Sequence, residues 1–123
     1  MLNGYQTALL ILRAHEAYEA ESGRSLTRFR LSRKSLRRIG GRTNLRDAFV
    51  ESVKDELVEF GWALLEVSDQ FALLRLDRVD TWQRIAGGRI SAEIDRALDN
   101  PDAFDFETLD TRFRPQADAG ADD

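Results

Sequence analysis

The chain has 123 residues, 42% hydrophobic and 33% charged, with 18 basic residues against 22 acidic ones and a formal net charge of −4. That length holds one domain, large enough to bury a core without a disulfide or metal to support it. The absence of cysteine excludes thiolate catalysis, Cys-ligated zinc, iron–sulfur clusters and a disulfide-stapled scaffold, and the single histidine, His15, excludes a two-histidine zinc site.

Residues 2–21 read as a helix. Leu2, Tyr5, Leu9, Leu12 and Glu16 mark one edge, and Ala8, Ile11, Ala14 and Tyr18 lie close by, at steps of three and four. Gly23 is the expected glycine just past its end. The five apolar residues at 8–12 fall far short of the roughly 20 that span a bilayer, and no basic segment precedes them. Neither a membrane span nor a signal peptide is expected, so the expected location is cytoplasmic.

Residues 27–31 read as a short strand, with Thr27, Phe29 and Leu31 on one face and Arg28 and Arg30 on the other. Ser32 suits the N-cap of a helix over 33–39 that turns Leu36 and Ile39 inward, and Gly40 and Gly41 stop it. Asn44 is the expected cap of the next helix, over 44–60. There Leu45, Phe49, Val53 and Leu57 form an apolar stripe, flanked by Ala48, Ser52 and Phe60, and Gly61 follows.

The period then changes to two. Residues 62–67 and 71–76 read as a hairpin around the turn 68–70, with Ala63, Leu65 and Val67 on one side and Ala72, Leu74 and Leu76 paired with them. Residues 81–85 read as a further helix. A last one carries Ile90, Ile94, Ala97 and Leu98 and ends at Asn100 and Pro101. Residues 99–123 hold eight acids against two arginines, and 115–123 read as disordered. The expected division is a domain over 1–98 and an acidic tail over 99–123.

Helix, short strand, helix, turn, helix and hairpin, in this order over residues 4–80, resemble a winged helix-turn-helix domain. The resemblance lies in element order and spacing, and it implies an α+β fold whose third helix and hairpin wing approach DNA, as in many members; others bind only protein. The expected core is Leu9, Leu12, Leu36, Ile39, Phe49, Val53 and Leu57, with the first strand completing a small sheet on the hairpin.

The strongest chemical signal is a block of charge. Residues 24–46 contain Arg24, Arg28, Arg30, Arg33, Lys34, Arg37, Arg38, Arg42 and Arg46 and no acid. Such a run is either a solvated face or a surface for an anionic partner, and phosphate neutralisation by Arg and Lys is the main sequence-independent source of DNA affinity. On this reading Arg30, Arg33, Lys34, Arg37 and Arg38 hold phosphates of double-stranded DNA, while Arg42, Thr43, Asn44 and Arg46 approach the groove. Against it stand the acids further along the same helix, Asp47, Glu51, Asp55, Glu56 and Glu59, and a wing tip without a base. A protein-interaction module that binds an acidic partner and not DNA is the alternative.

Phe104, Phe106, Leu109 and Phe113 alternate with acids in the tail, which allows packing on the domain, docking on a protein partner, or folding back on the basic block. The crowded apolar residues 9–12, together with Ile90, Ile94 and Leu98, suit a homodimer. Gly40-Gly41 and Gly87-Gly88 match no phosphate loop, and no nucleophile motif is present. The expectation is a non-catalytic transcriptional regulator without cofactor or metal.

Overall fold

In the computed structural model, which describes residues 1–115, Asn3 starts the first helix. Its side chain accepts the Gln6 N–H at 2.8 Å, while the Gln6 side chain accepts the Asn3 N–H at 3.1 Å, and this reciprocal cap opens α1 (Gly4–Ser22). Gly23, left-handed at φ 69°, closes α1 with its N–H on the Glu19 carbonyl. Then follow β1 (Arg28–Ser32), α2 (Arg33–Gly40), α3 (Asp47–Glu59), β2 (Trp62–Val67) and β3 (Gln70–Arg75). A 3-10 turn, Leu76–Thr81, ends the first of two compact units, Met1–Trp82.

The three strands form one antiparallel sheet in the order β1–β3–β2, so β1 and β2 are its edges. Ser68, at φ 56°, supplies the left-handed first residue of a two-residue turn. The turn is therefore one residue shorter than the expected 68–70, and β3 starts at Gln70. Trp62, Leu64, Phe71 and Leu73 are buried, and Phe29 and Leu31 pack beside them. Alternation sends Ala63, Leu65, Val67, Ala72 and Leu74 to the opposite face, next to Arg28 and Arg30. The chain is thus α+β, and within this unit α1, α2 and α3 pack on one face of the three-stranded antiparallel sheet.

From the helices, Thr7, Ala8, Ile11, Leu36, Phe49, Val50, Val53 and Leu57 complete the core. Each large side chain buried there contributes about 1.5–3 kcal/mol of transfer free energy. Leu36, Phe49, Val53 and Leu57 were expected. Leu9 was expected inside and is exposed, while Leu12 and Ile39 are half-buried at the margin. The inward face of α1 runs instead through Gly4, Thr7, Ala8 and Ile11. Close approach of α1 to α3 is the reason: a Cβ on Gly4 would collide with Ser52 of α3, so the contact needs small residues.

Asn44 does not cap α3. The helix starts three residues later at Asp47, with Arg46 in the cap position and no side-chain cap bond. Leu45 packs against the core ahead of it, and that burial sets the entry of the chain in place of local capping. Gly61, left-handed at φ 83°, follows α3 as expected.

The second unit is Gln83–Asp123. Residues 83–86 have no regular structure, so the helix expected over 81–85 is absent; five exposed residues cannot meet the cost of helix nucleation without packing. α4 (Ser91–Asp99) ends at Asn100 as expected, and α5 (Phe106–Phe113) occupies part of the expected tail. The Asp105 carboxylate caps α5 through the Thr108 hydroxyl at 2.6 Å and N–H at 3.0 Å, and these bonds hold its pKa below the usual carboxylate value. The first compact unit ends at Trp82. The disorder expected over 115–123 concerns residues that, from 116 onward, lie outside those described.

Candidate nucleic-acid interface

β1 runs directly into α2, and one serine makes the junction. Ser32 Oγ accepts the Ser35 N–H at 3.0 Å, which fixes the first turn of α2. Burial of Leu36 then orients the helix, leaving Lys34 and Arg38, four residues apart, exposed on one outer face. Gly41, left-handed at φ 64°, ends α2, and the Arg42 N–H returns to the Arg37 carbonyl at 2.8 Å. Residues 42–46 carry the chain across to α3.

The basic block divides into engaged and free cations. The Arg42 guanidinium is engaged: its carbon lies 3.6 Å from the centre of the Phe49 ring and its Nη2 donates to the Leu2 carbonyl at 2.8 Å. Arg33 is engaged too, with Nη1 3.4 Å from a Glu66 carboxylate oxygen and its guanidinium 5.4 Å from the Phe71 ring centre. By contrast, Arg24, Arg28, Arg30, Lys34, Arg37, Arg38 and Arg46 make no ion pair among the described residues. Of these only Arg37 is half-buried; the others are exposed. Thr43 and Asn44 are exposed in the α2–α3 loop.

Of the nine residues singled out from the sequence, seven therefore stand on the surface of consecutive elements: Arg30 on β1, Lys34, Arg37 and Arg38 on α2, and Thr43, Asn44 and Arg46 in the loop before α3. Arg42 instead braces the fold, and Arg33 pairs with Glu66 at the surface. Arg28 shares the outer sheet face with Arg30 and was passed over, although the period-two alternation at 27–31 already placed the two together.

Exposed charge on the neighbouring elements has the other sign. Asp47, Glu51, Asp55 and Glu59 of α3 are exposed, and Lys54 within that helix pairs with Glu51 at 3.5 Å. The hairpin tip is Ser68-Asp69, and Arg75 on β3 pairs with Asp77 at 3.4 Å. The hairpin tip thus offers no cation.

His15 sits on the opposite face of the sheet from Arg28 and Arg30. Its ring is stacked on Phe29 at 5.0 Å, meets Trp62 edge-on at 4.9 Å, and bonds through Nε2 to the Leu26 carbonyl at 2.8 Å. A Glu19 carboxylate oxygen accepts the Leu26 N–H at 2.7 Å. That bond is the main cause of a lowered Glu19 pKa; partial burial opposes it, and His15, Ser25 and Arg75 add to it.

Among the described residues no three carboxylates or imidazoles gather as a metal site would need, and no helix is long and apolar enough to cross a membrane. The chain has no significant match among protein-family models, curated proteins or solved structures.

Proposed function

We propose that Met1–Trp82 is a winged helix-turn-helix domain that binds double-stranded DNA, and that the protein is a non-catalytic transcriptional regulator. The element order α1–β1–α2–α3–β2–β3 and the sheet order β1–β3–β2 support the fold assignment. The observation that carries the function is the set of uncompensated cations Arg30, Lys34, Arg37, Arg38 and Arg46 on adjoining elements, with no acid interleaved. Their charge suits phosphate contacts that position the domain on the duplex.

Asn44 and Thr43 then stand where the loop would meet base edges, and an asparagine not used as a cap has its amide free for adenine. Contact is confined to the loop and the first turn of α3, because Glu51, Asp55 and Glu59 repel phosphate. Exposed Tyr5, Leu9 and Leu10 on α1 offer an apolar surface for a homodimer. Phe106 and Phe113, exposed on α5, offer one for a protein partner.

A protein-interaction module with an acidic partner is the second reading, favoured by the acidic outer face of α3 and the uncharged-to-acidic hairpin tip. The two differ in one observable. Duplex DNA of mixed sequence, with no second protein present, binds the full chain in the first case and does not in the second.

A further inference from the structure

We propose that the open edge of β1 is a docking site for an extended acidic peptide, which adds to the sheet as a fourth strand. β1 ends the sheet, so one row of its backbone N–H and C=O groups has no strand beside it. Beside this edge lies a mainly apolar groove of about 430 Å³, lined by Ile11, Ala14 and Tyr18 of α1 and by Phe29 and Leu31 of β1, with Arg30 also on its border. Strand addition needs this combination: main-chain bonds supply affinity, and apolar pockets select every second side chain.

The open stretch has a defined start. At Leu26 both backbone groups are taken, the N–H by Glu19 and the carbonyl by His15. No side chain among the described residues occupies the edge of Arg28–Ser32 in this way. These five residues offer about 17 Å of edge, enough for a partner segment of similar length.

Charge determines which partner fits. A strand laid along β1 alternates as β1 does: one set of its side chains covers the groove, and the other stands beside Arg28 and Arg30. Both arginines are exposed and make no ion pair among the described residues. Carboxylates alternating with apolar residues therefore satisfy both faces at once. A second copy fits worse, because β1 paired with its twin brings arginine opposite arginine, and like charges facing each other across strands are destabilising. This inference goes beyond the DNA-binding reading and stands without it.

The test is fluorescence anisotropy of a fluorescein-labelled peptide in which glutamate alternates with isoleucine, titrated with the full chain in the absence of DNA. Saturable binding is expected. N-methylation of alternate amides in one phase, the phase facing β1, abolishes it, whereas methylation in the other phase changes it by less than about twofold. The double variant Arg28→Glu/Arg30→Glu weakens binding by about tenfold or more, and so does rearranging the peptide into one glutamate block and one isoleucine block. Absence of saturable binding, insensitivity to methylation in both phases, or an unchanged affinity in the double variant or for the block peptide overturns the proposal. So does a homodimer that the peptide dissociates, because the edge then belongs to a second copy.

Discussion

The guanidinium of Arg42 stacks on the ring of Phe49, 3.6 Å from carbon to ring centre, and in the same pose donates to the Leu2 carbonyl at 2.8 Å. The Leu2 N–H in turn reaches the Gly40 carbonyl at 3.0 Å. One arginine of the α2–α3 loop thus ties the first residues of the chain to the core. Its Nε is buried without a hydrogen-bond partner among the described residues, a cost that offsets part of the contact. Arg42→Ala removes a half-buried cation–π contact and a charged hydrogen bond, and is expected to destabilise the fold by about 1–2 kcal/mol. Urea denaturation checks this, with Arg38→Ala, an exposed neighbour, expected to change stability by less than about 0.5 kcal/mol. Arg42→Lys recovers only part of the loss, since an ammonium lacks the planar stacking surface. Equal stability of Arg42→Ala and Arg38→Ala would contradict the structural role.

Gly4 marks where α1 crosses α3. A Cβ there meets both the side chain and the backbone of Ser52, so Gly4→Ala must push the helices apart. Overpacking of this kind costs about 1–3 kcal/mol. Gly23→Ala serves as a comparison whose cost has a different origin: nothing lies within 4 Å of its added Cβ, and only the left-handed φ of 69° resists the change. Thermal melts should show that Ser52→Gly, which removes the side chain but leaves the backbone carbon in the way, recovers part of the loss in Gly4→Ala and none of it in Gly23→Ala. A Gly4→Ala chain as stable as the natural one would contradict the close approach.

These positions separate what local sequence rules read from what they did not. Ser32, Gly23, Gly41 and Gly61 sit where capping and left-handed geometry place them, because those preferences act within a few residues. The hairpin follows for the same reason. Leu9 misled because a count of large apolar residues finds the bulkiest stripe on α1, whereas the crossing with α3 selects the small one, and Gly4, Thr7 and Ala8 carry little apolar signal. Asn44 misled because a good capping residue was overridden by the burial of Leu45. Arg42 looked like its neighbours in the basic block: composition records a charge and not its direction, and no spacing to Phe49 identifies a stacking partner. Lys34 and Arg38 were legible, since burial of Leu36 fixes the outer face of α2.

Acid should loosen the α1–β1 connection through Glu19. Its pKa lies below the ordinary value of 4.5, chiefly because the carboxylate accepts the Leu26 N–H. A group with a depressed folded-state pKa stabilises the fold fully above its unfolded value, and that contribution fades as pH falls through the folded value. The difference in melting temperature between the natural chain and Glu19→Gln is therefore expected to be constant above about pH 5 and to shrink below about pH 4.5. A difference that persists unchanged to about pH 3 would mean that the Glu19 charge contributes nothing.

Lys34 and Arg38 provide the cleanest probe of the basic surface, because both are exposed and neither pairs with an acid among the described residues. The double variant Lys34→Ala/Arg38→Ala should leave the far-ultraviolet circular dichroism unchanged. It should weaken DNA binding to a similar degree on all sequences and flatten the logarithmic salt dependence by about 2, or 0.9 per lost phosphate contact. Loss of affinity for one sequence alone would assign these residues to base readout.

The central claim is that the free cations of β1, α2 and the α2–α3 loop form a phosphate-binding surface. Its most direct measurement is fluorescence anisotropy of a mixed-sequence duplex titrated with the full chain between about 50 and 300 mM salt. Five cations, Arg30, Lys34, Arg37, Arg38 and Arg46, predict a log–log slope of about −4.5. Absence of binding at the lowest salt, or binding that does not weaken as salt rises, would contradict it.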